Sequence, residues 1–221
     1  MITNWTQLTL RHWAQLRKAD ELTDVSDRTI AIIAALADLT PNEVCDLPIG
    51  DYLRLKDQAA FVTADLPDPS GKICKQYNIN GWKLVPSVDI NKWTAIQFID
   101  FQSLTEQGDA DLVRLLSVVL IPAGKTYGNG YEIEEIHEAL QEMPLLDARE
   151  VLYFFALRSL TSALRGLTFS TAAMKAAGVT NRKMKRALRR LLRTFIGAGA
   201  GCISSTLSPH PLGDPGTKSN S

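Results

Sequence analysis

Residues 26–52 read Ser26-Asp27-Arg28-Thr29-Ile30-Ala31-Ile32-Ile33-Ala34-Ala35-Leu36-Ala37-Asp38-Leu39-Thr40-Pro41-Asn42-Glu43-Val44-Cys45-Asp46-Leu47-Pro48-Ile49-Gly50-Asp51-Tyr52. The stretch from Thr29 to Leu39 is rich in Ile, Ala and Leu, and Ser26 before it has the side chain of an N-cap. Thr40-Pro41-Asn42-Glu43 is a capping box with proline at the first helical position, so a short helix starts there. A further helix is read over residues 48–62, with Tyr52, Leu55 and Ala59 facing inward. Upstream, Leu10, Trp13 and Leu16 recur at helical spacing within residues 5–19. Residues 5–62 therefore read as a compact helical unit, and the chain as mainly α.

One segment breaks this pattern. After a loop over 63–71 that carries Pro67, Pro69, Ser70 and Gly71, the apolar period drops to two. Ile73, Lys75, Tyr77 and Ile79 alternate with Cys74, Gln76 and Asn78, and Trp82, Leu84, Pro86 and Val88 continue the alternation beyond Asn80-Gly81. An Asn-Gly pair between alternating runs predicts a hairpin over 72–88, because a type I′ turn needs positive φ at both positions. Pro86 cannot donate to a ladder, which predicts that its strand lies at the sheet edge.

Downstream the helical period returns. Residues 94–104 read as a helix with Ile96 and Ile99 on one side and Phe98 and Phe101 nearby. Residues 110–121 are apolar enough for a buried helix, 122–130 form a glycine-rich loop, and 132–142 an acidic amphipathic helix. Pro144 ends that helix, and Asp147 is placed to cap the next, which runs to about residue 164 through Val151, Leu152, Phe154, Phe155 and Leu157. Thr180 or Asn181 caps a last helix through Phe195. The expected organisation is one mostly helical domain, 3–196, with a helical bundle over 94–196. Residues 197–221, rich in Gly, Ser and Pro, read as a flexible tail.

The chain has 221 residues, of which 45% are hydrophobic, so a packed core is expected and global disorder is not. Its apolar runs fall short of the roughly 18 residues that cross a bilayer, and no signal peptide is read at the N-terminus. Cys45, Cys74 and Cys202 are odd in number and lack metal-ligand spacing, which fits a reducing cytoplasm. The net charge of zero conceals a segregation: from residue 151 on there are 11 Lys/Arg and one acid, Asp214, against 13 basic and 23 acidic residues before it.

Catalytic and metal motifs are weak. Gly124-Lys125-Thr126 invites a phosphate-loop reading, but the glycine required five positions earlier is Val119. His12, His137 and His210 lie in separate segments, and Glu134 with His137 reads as part of a solvated helix face. No Gly-x-Ser-x-Gly is present. No cofactor, metal or catalytic residue is assigned, and a non-enzyme is expected.

The sharpest feature is electrostatic. Arg182, Lys183, Lys185, Arg186, Arg189, Arg190 and Arg193 place seven cations within residues 182–193, while Met184, Leu188, Leu191, Leu192 and Phe195 fall at helical spacing. These cations, with Leu188 and Leu192, are the candidate partner-binding residues. Three readings stay open for the segment: phosphate contact with a nucleic acid, a membrane surface, or docking of its apolar stripe on a partner or on this chain. The last is favoured, nucleic acid is the alternative, and a membrane partner is not expected.

The N-terminal block carries a resemblance. Asn4-Trp5-Thr6-Gln7-Leu8-Thr9-Leu10-Arg11 leads into the helix from Asp27 to Leu36, then the capped helix at Leu39-Thr40-Pro41-Asn42-Glu43, then Leu47-Pro48-Ile49-Gly50-Asp51-Tyr52. This order, over about the first 60 residues, resembles the tail assembly chaperones of long-tailed bacteriophages. The hairpin, residues 94–102 and Leu120-Ile121-Pro122-Ala123-Gly124-Lys125 are similar to proteins of phages and prophages of gut Bacteroides-type bacteria. The resemblance implies a non-catalytic chaperone that binds the tape-measure protein, or tail-tube subunits, in the bacterial host cytoplasm during virion morphogenesis. Apolar grooves between its helices would shield the partner's helices, and homo-oligomers are admitted. A structural virion or connector protein, or a nucleic-acid-binding accessory protein using residues 182–193, is the alternative.

Overall fold

The computed structural model describes residues 1–106 and 111–169. Within them the chain is mainly α, with a small antiparallel sheet. The helices are α1 Leu10–Asp20, α2 Val25–Ala37, α3 Pro41–Cys45, α4 Ile49–Ala59, α5 Ala95–Glu106, α6 Leu112–Val119, α7 Ile133–Gln141 and α8 Leu145–Phe169. The strands are β1 Tyr77–Ile79, β2 Trp82–Pro86 and β3 Leu120–Pro122. The expected last helix through Phe195 and the tail at 197–221 lie outside the described residues.

The N-terminal unit follows its cap signals. Thr40 and Glu43 form the reciprocal capping box of α3, with Thr40 N–H donating to Glu43 Oε2 at 2.7 Å. These bonds to the ionised form lower the Glu43 pKa. The cap of α2 is Asp24 instead of the expected Ser26: the Asp24 carboxylate accepts from the N–H groups of Ser26 and Asp27. A carboxylate serves better than a hydroxyl here, because it also carries charge to the positive end of the helix dipole. In α1 the box partner of Thr9 is His12, whose ring nitrogen accepts from the Thr9 N–H. Helix α4 turns Tyr52, Leu55 and Ala59 toward the core as expected, Ala59 fully so.

The hairpin forms at the expected turn, with Asn80 at φ 46° and Gly81 at φ 79°. Tyr77 pairs with Leu84, and Tyr77, Ile79, Leu84 and Pro86 bury one face. Two expectations are corrected. β2 is the central strand, since β3 pairs along its other side, Val85 opposite Ile121. Pro86 is tolerated because it sits out of phase with β3. Ser87 N–H donates to the Val119 carbonyl and Ala123 N–H to the Lys83 carbonyl, so Lys83, Val85 and Ser87 address β3. Pro86 faces the β1 side, where β1 has already ended at Tyr77. The second correction is that residues 120–121 are strand and not the end of a helix. Pro122 disfavours helical backbone at the residue before it, and β2 offers an open edge.

Helix α8 begins at Leu145, so Asp147 is a first-turn acid and not its cap. Pro144 stands just outside, where its missing N–H costs nothing, and its carbonyl accepts from Ala148 N–H. Beside it Leu10 N–H donates to Met143 O and Leu145 N–H to Leu8 O, which ties the entry of α1 to the entry of α8. The buried side chains from Trp5 to Phe155, including Leu36, Leu84, Leu116, Ile136 and Val151, form a single core. The N-terminal unit, the sheet and the later helices therefore share one interior.

Candidate partner-binding surface

α6 runs into β3 without a loop, which would leave its last carbonyls buried and unpaired. Two groups satisfy them. The Val119 carbonyl accepts from Ser87 N–H at 2.8 Å, and the Val118 carbonyl accepts from Gln97 Nε2 at 2.7 Å. Gln97 is 2% exposed, so this amide is drawn into the core and sets the rotation of α5. Phe101 and Leu104 pack against the same core, and Thr105 is buried. Trp93, just before α5, packs edge-on against Phe101 and donates Nε1–H to the Ser87 carbonyl.

That rotation turns an uncharged face outward. Ala95, Ile96, Phe98, Ile99, Gln102 and Ser103 are exposed and none of them is charged. Ile96 is 67% exposed, Ile99 60% and Phe98 49%. Single exposed apolar residues are ordinary, whereas three within one turn of one helix form a patch. A smaller apolar pair, Ile49 and Leu53, lies one turn apart on α4. The middle of α5 is held by the loop after β3: Tyr127 O–H donates to Asp100 Oδ2 at 2.8 Å. Burial, then the Asp100 carboxylate, pushes the Tyr127 phenol well above its ordinary pKa.

The acidic helix α7 offers a second, polar surface. Glu135 and Glu138, with Asn80, Trp82 and Ala139, line an open groove of about 370 Å³. His137 is not part of the solvated face expected from sequence. It is half-buried and its Nε2 lies 3.0 Å from Ser117 Oγ on α6. The Ser117 hydroxyl donates to the Arg114 carbonyl at 2.7 Å, so its proton is committed to the backbone and the pair joins two helices. His12 is likewise a cap residue, and its Nε2 stands 3.4 Å from Asp38 Oδ1 without hydrogen-bond alignment. Cys45 and Cys74 are exposed free thiols. Among the described residues no group of three His, Cys, Asp or Glu side chains could hold a metal ion, and no helix is long and apolar enough to cross a membrane. The Gly124-Lys125-Thr126 loop follows a strand, but its glycines at φ 76°, 71° and 84° (Gly124, Gly128 and Gly130) build turns before α7.

All the candidate residues singled out from sequence, Arg182, Lys183, Lys185, Arg186, Leu188, Arg189, Arg190, Leu192 and Arg193, lie outside the described residues, as do Cys202 and His210. The structure instead adds Ile96, Phe98 and Ile99. The sequence signal was Gln97: a polar residue one position after Ile96 and two before Ile99 turns inward once its amide has a buried carbonyl to cap, and Ile96 and Ile99 then face outward. No family model, curated protein or solved structure matches this chain.

Proposed function

We propose that this chain is a non-catalytic protein-binding protein that holds an apolar helix of a partner against the outer face of α5. The observation that carries the reading is the exposure of Ile96, Phe98 and Ile99 on one uncharged helix face. Ile96 and Ile99, three residues apart, have the spacing of the apolar anchors used in helix-on-face recognition, and Phe98 flanks Ile99. In its specific form the proposal is a phage tail assembly chaperone acting in the bacterial host cytoplasm, with the tape-measure protein or a tail-tube subunit as partner. The N-terminal resemblance supports that form, and so does the chemistry of the cargo: long apolar helices that must stay soluble before assembly. The excess of acidic residues before residue 151 supports it as well, since an acidic surface on that part of the chain keeps it soluble.

The test is co-expression with the tape-measure protein of the genome that carries this chain. The expected result is a rise in the soluble fraction of the tape-measure protein and its co-purification. Absence of both would overturn the proposal, and recovery of this chain from finished particles would favour a structural virion protein instead.

A further inference from the structure

α5 is apolar on two sides: Phe101 and Leu104 pack against the core, while Ile96, Phe98 and Ile99 face outward. A helix that is apolar all round is normally covered all round. The outer face is also free of charge, since its exposed positions are Ala95, Ile96, Phe98, Ile99, Gln102 and Ser103. The other exposed apolar helix pair, Ile49 and Leu53 on α4, has the exposed cation Arg54 beside it, and the outer face of α7 carries Glu135 and Glu138. We propose that the outer face of α5 pairs with the same face of a second copy of this chain, the two helices antiparallel and crossing at Ile99. This goes beyond the partner reading, because it concerns the protein alone.

Charge and shape select that occupant. A two-fold contact sets one surface against itself, so a charge near the axis meets its own like. The faces of α4 and α7 fail that condition and the outer face of α5 meets it. Its layout is centred on Ile99. At 100° per residue, Ala95, Ile96, Gln102 and Ser103 lie within about 60° of Ile99 on either side, and Phe98, at about 100°, borders the face. Ala95 and Ser103, about one turn before and after Ile99, are small, so two helices can close on each other with their Ile99 side chains at the crossing. In the antiparallel arrangement Ala95 of one copy stands opposite Ser103 of the other, and Ile96 opposite Gln102. That arrangement also sets the positive end of each helix dipole near the negative end of the other, which a parallel pair would not. The face offers six residues, where a stable interface uses about 20–30 a side. The pair is therefore a reversible one that forms at high concentration and separates on dilution.

The test is sedimentation of the full chain over a concentration series from on the order of 1 µM to several hundred µM. The parent mass is expected to rise from 24.3 kDa toward twice that value, while Ile96→Asp/Ile99→Asp, which would gather four carboxylates at the crossing, stays at 24.3 kDa. A parent that remains monomeric throughout, or a double variant that associates as the parent does, would overturn the proposal. Disulfide trapping reads the geometry without relying on that variant. With Cys45, Cys74 and Cys202 replaced by serine, Ile99→Cys is expected to form a disulfide-linked dimer on mild oxidation. A mixture of Ala95→Cys with Ser103→Cys chains is expected to give the mixed dimer in excess of either homodimer. No trapped dimer at Ile99→Cys, or homodimers in excess in the mixture, would overturn it. Neither readout involves cargo, so failure here is distinguishable from failure of partner capture.

Discussion

Gln97 donates its side-chain amide to the Val118 carbonyl at 2.7 Å in the interior, so a residue of α5 caps the C-terminus of α6. The bond joins two facts. α6 needs a donor because it ends buried against β3, and α5 must rotate Gln97 inward to supply one. The outward turn of Ile96 and Ile99 follows.

Replacing Gln97 with leucine leaves the Val118 carbonyl buried without that donor. The expected cost is about 1–3 kcal/mol, read as a lower urea midpoint at unchanged slope. A midpoint equal to the parent's would show that the amide does not hold the two helices.

Gly81 sits at φ 79° with nothing near a hypothetical Cβ, so its replacement by alanine incurs conformational strain and no clash. Gly81→Ala is expected to cost about 1–2 kcal/mol, measured by thermal unfolding. A neutral effect would contradict the type I′ geometry assigned to the turn.

Much of this was legible in the sequence, and the reason is range. The α3 capping box and the Asn80-Gly81 turn are decided by bonds between near neighbours, so residue identity suffices. β3 and the orientation of α5 are decided by distant partners. Leu120-Ile121-Pro122 becomes strand because β2 offers its edge, and α5 turns because Val118 offers a carbonyl. Asp24 was missed as the α2 cap because Ser26 is also a good capping residue, and only the backbone distinguishes them. The basic residues 182–193 were the strongest sequence signal for a partner. They lie outside the described residues, so the surface that the structure adds is a different one.

Glu150 fastens the loop before the hairpin: its two carboxylate oxygens accept from Ser70 and Gly71 N–H, each at 2.7 Å. Arg149, one residue earlier, donates to the Pro67 carbonyl from a buried position, and that burial lowers its pKa. Glu150→Ala is expected to speed amide exchange at Ser70 and Gly71 while α8 stays protected. Unchanged exchange at those two amides would contradict the fastening.

Burial pushes the Tyr77 phenol from its ordinary value of 10.0 up to about 12, and Tyr127 moves in the same direction. Between the unfolded and folded values the folded state retains protons that the unfolded state has lost. Stability is therefore intact below the unfolded value and falls as pH rises through the folded one. Denaturant midpoints should decline between about pH 10 and 12, and Tyr77→Phe should flatten part of that decline. A flat parent profile would refute the burial assigned to both rings.

The most direct test of the central claim is capture of the tape-measure protein by the parent chain and by Ile96→Asp/Ile99→Asp, side by side. Both substitutions are at exposed positions, so equal unfolding midpoints serve as the control. The parent is expected to co-purify the tape-measure protein and the double variant is not. Equal capture by both, or by neither, would contradict the claim.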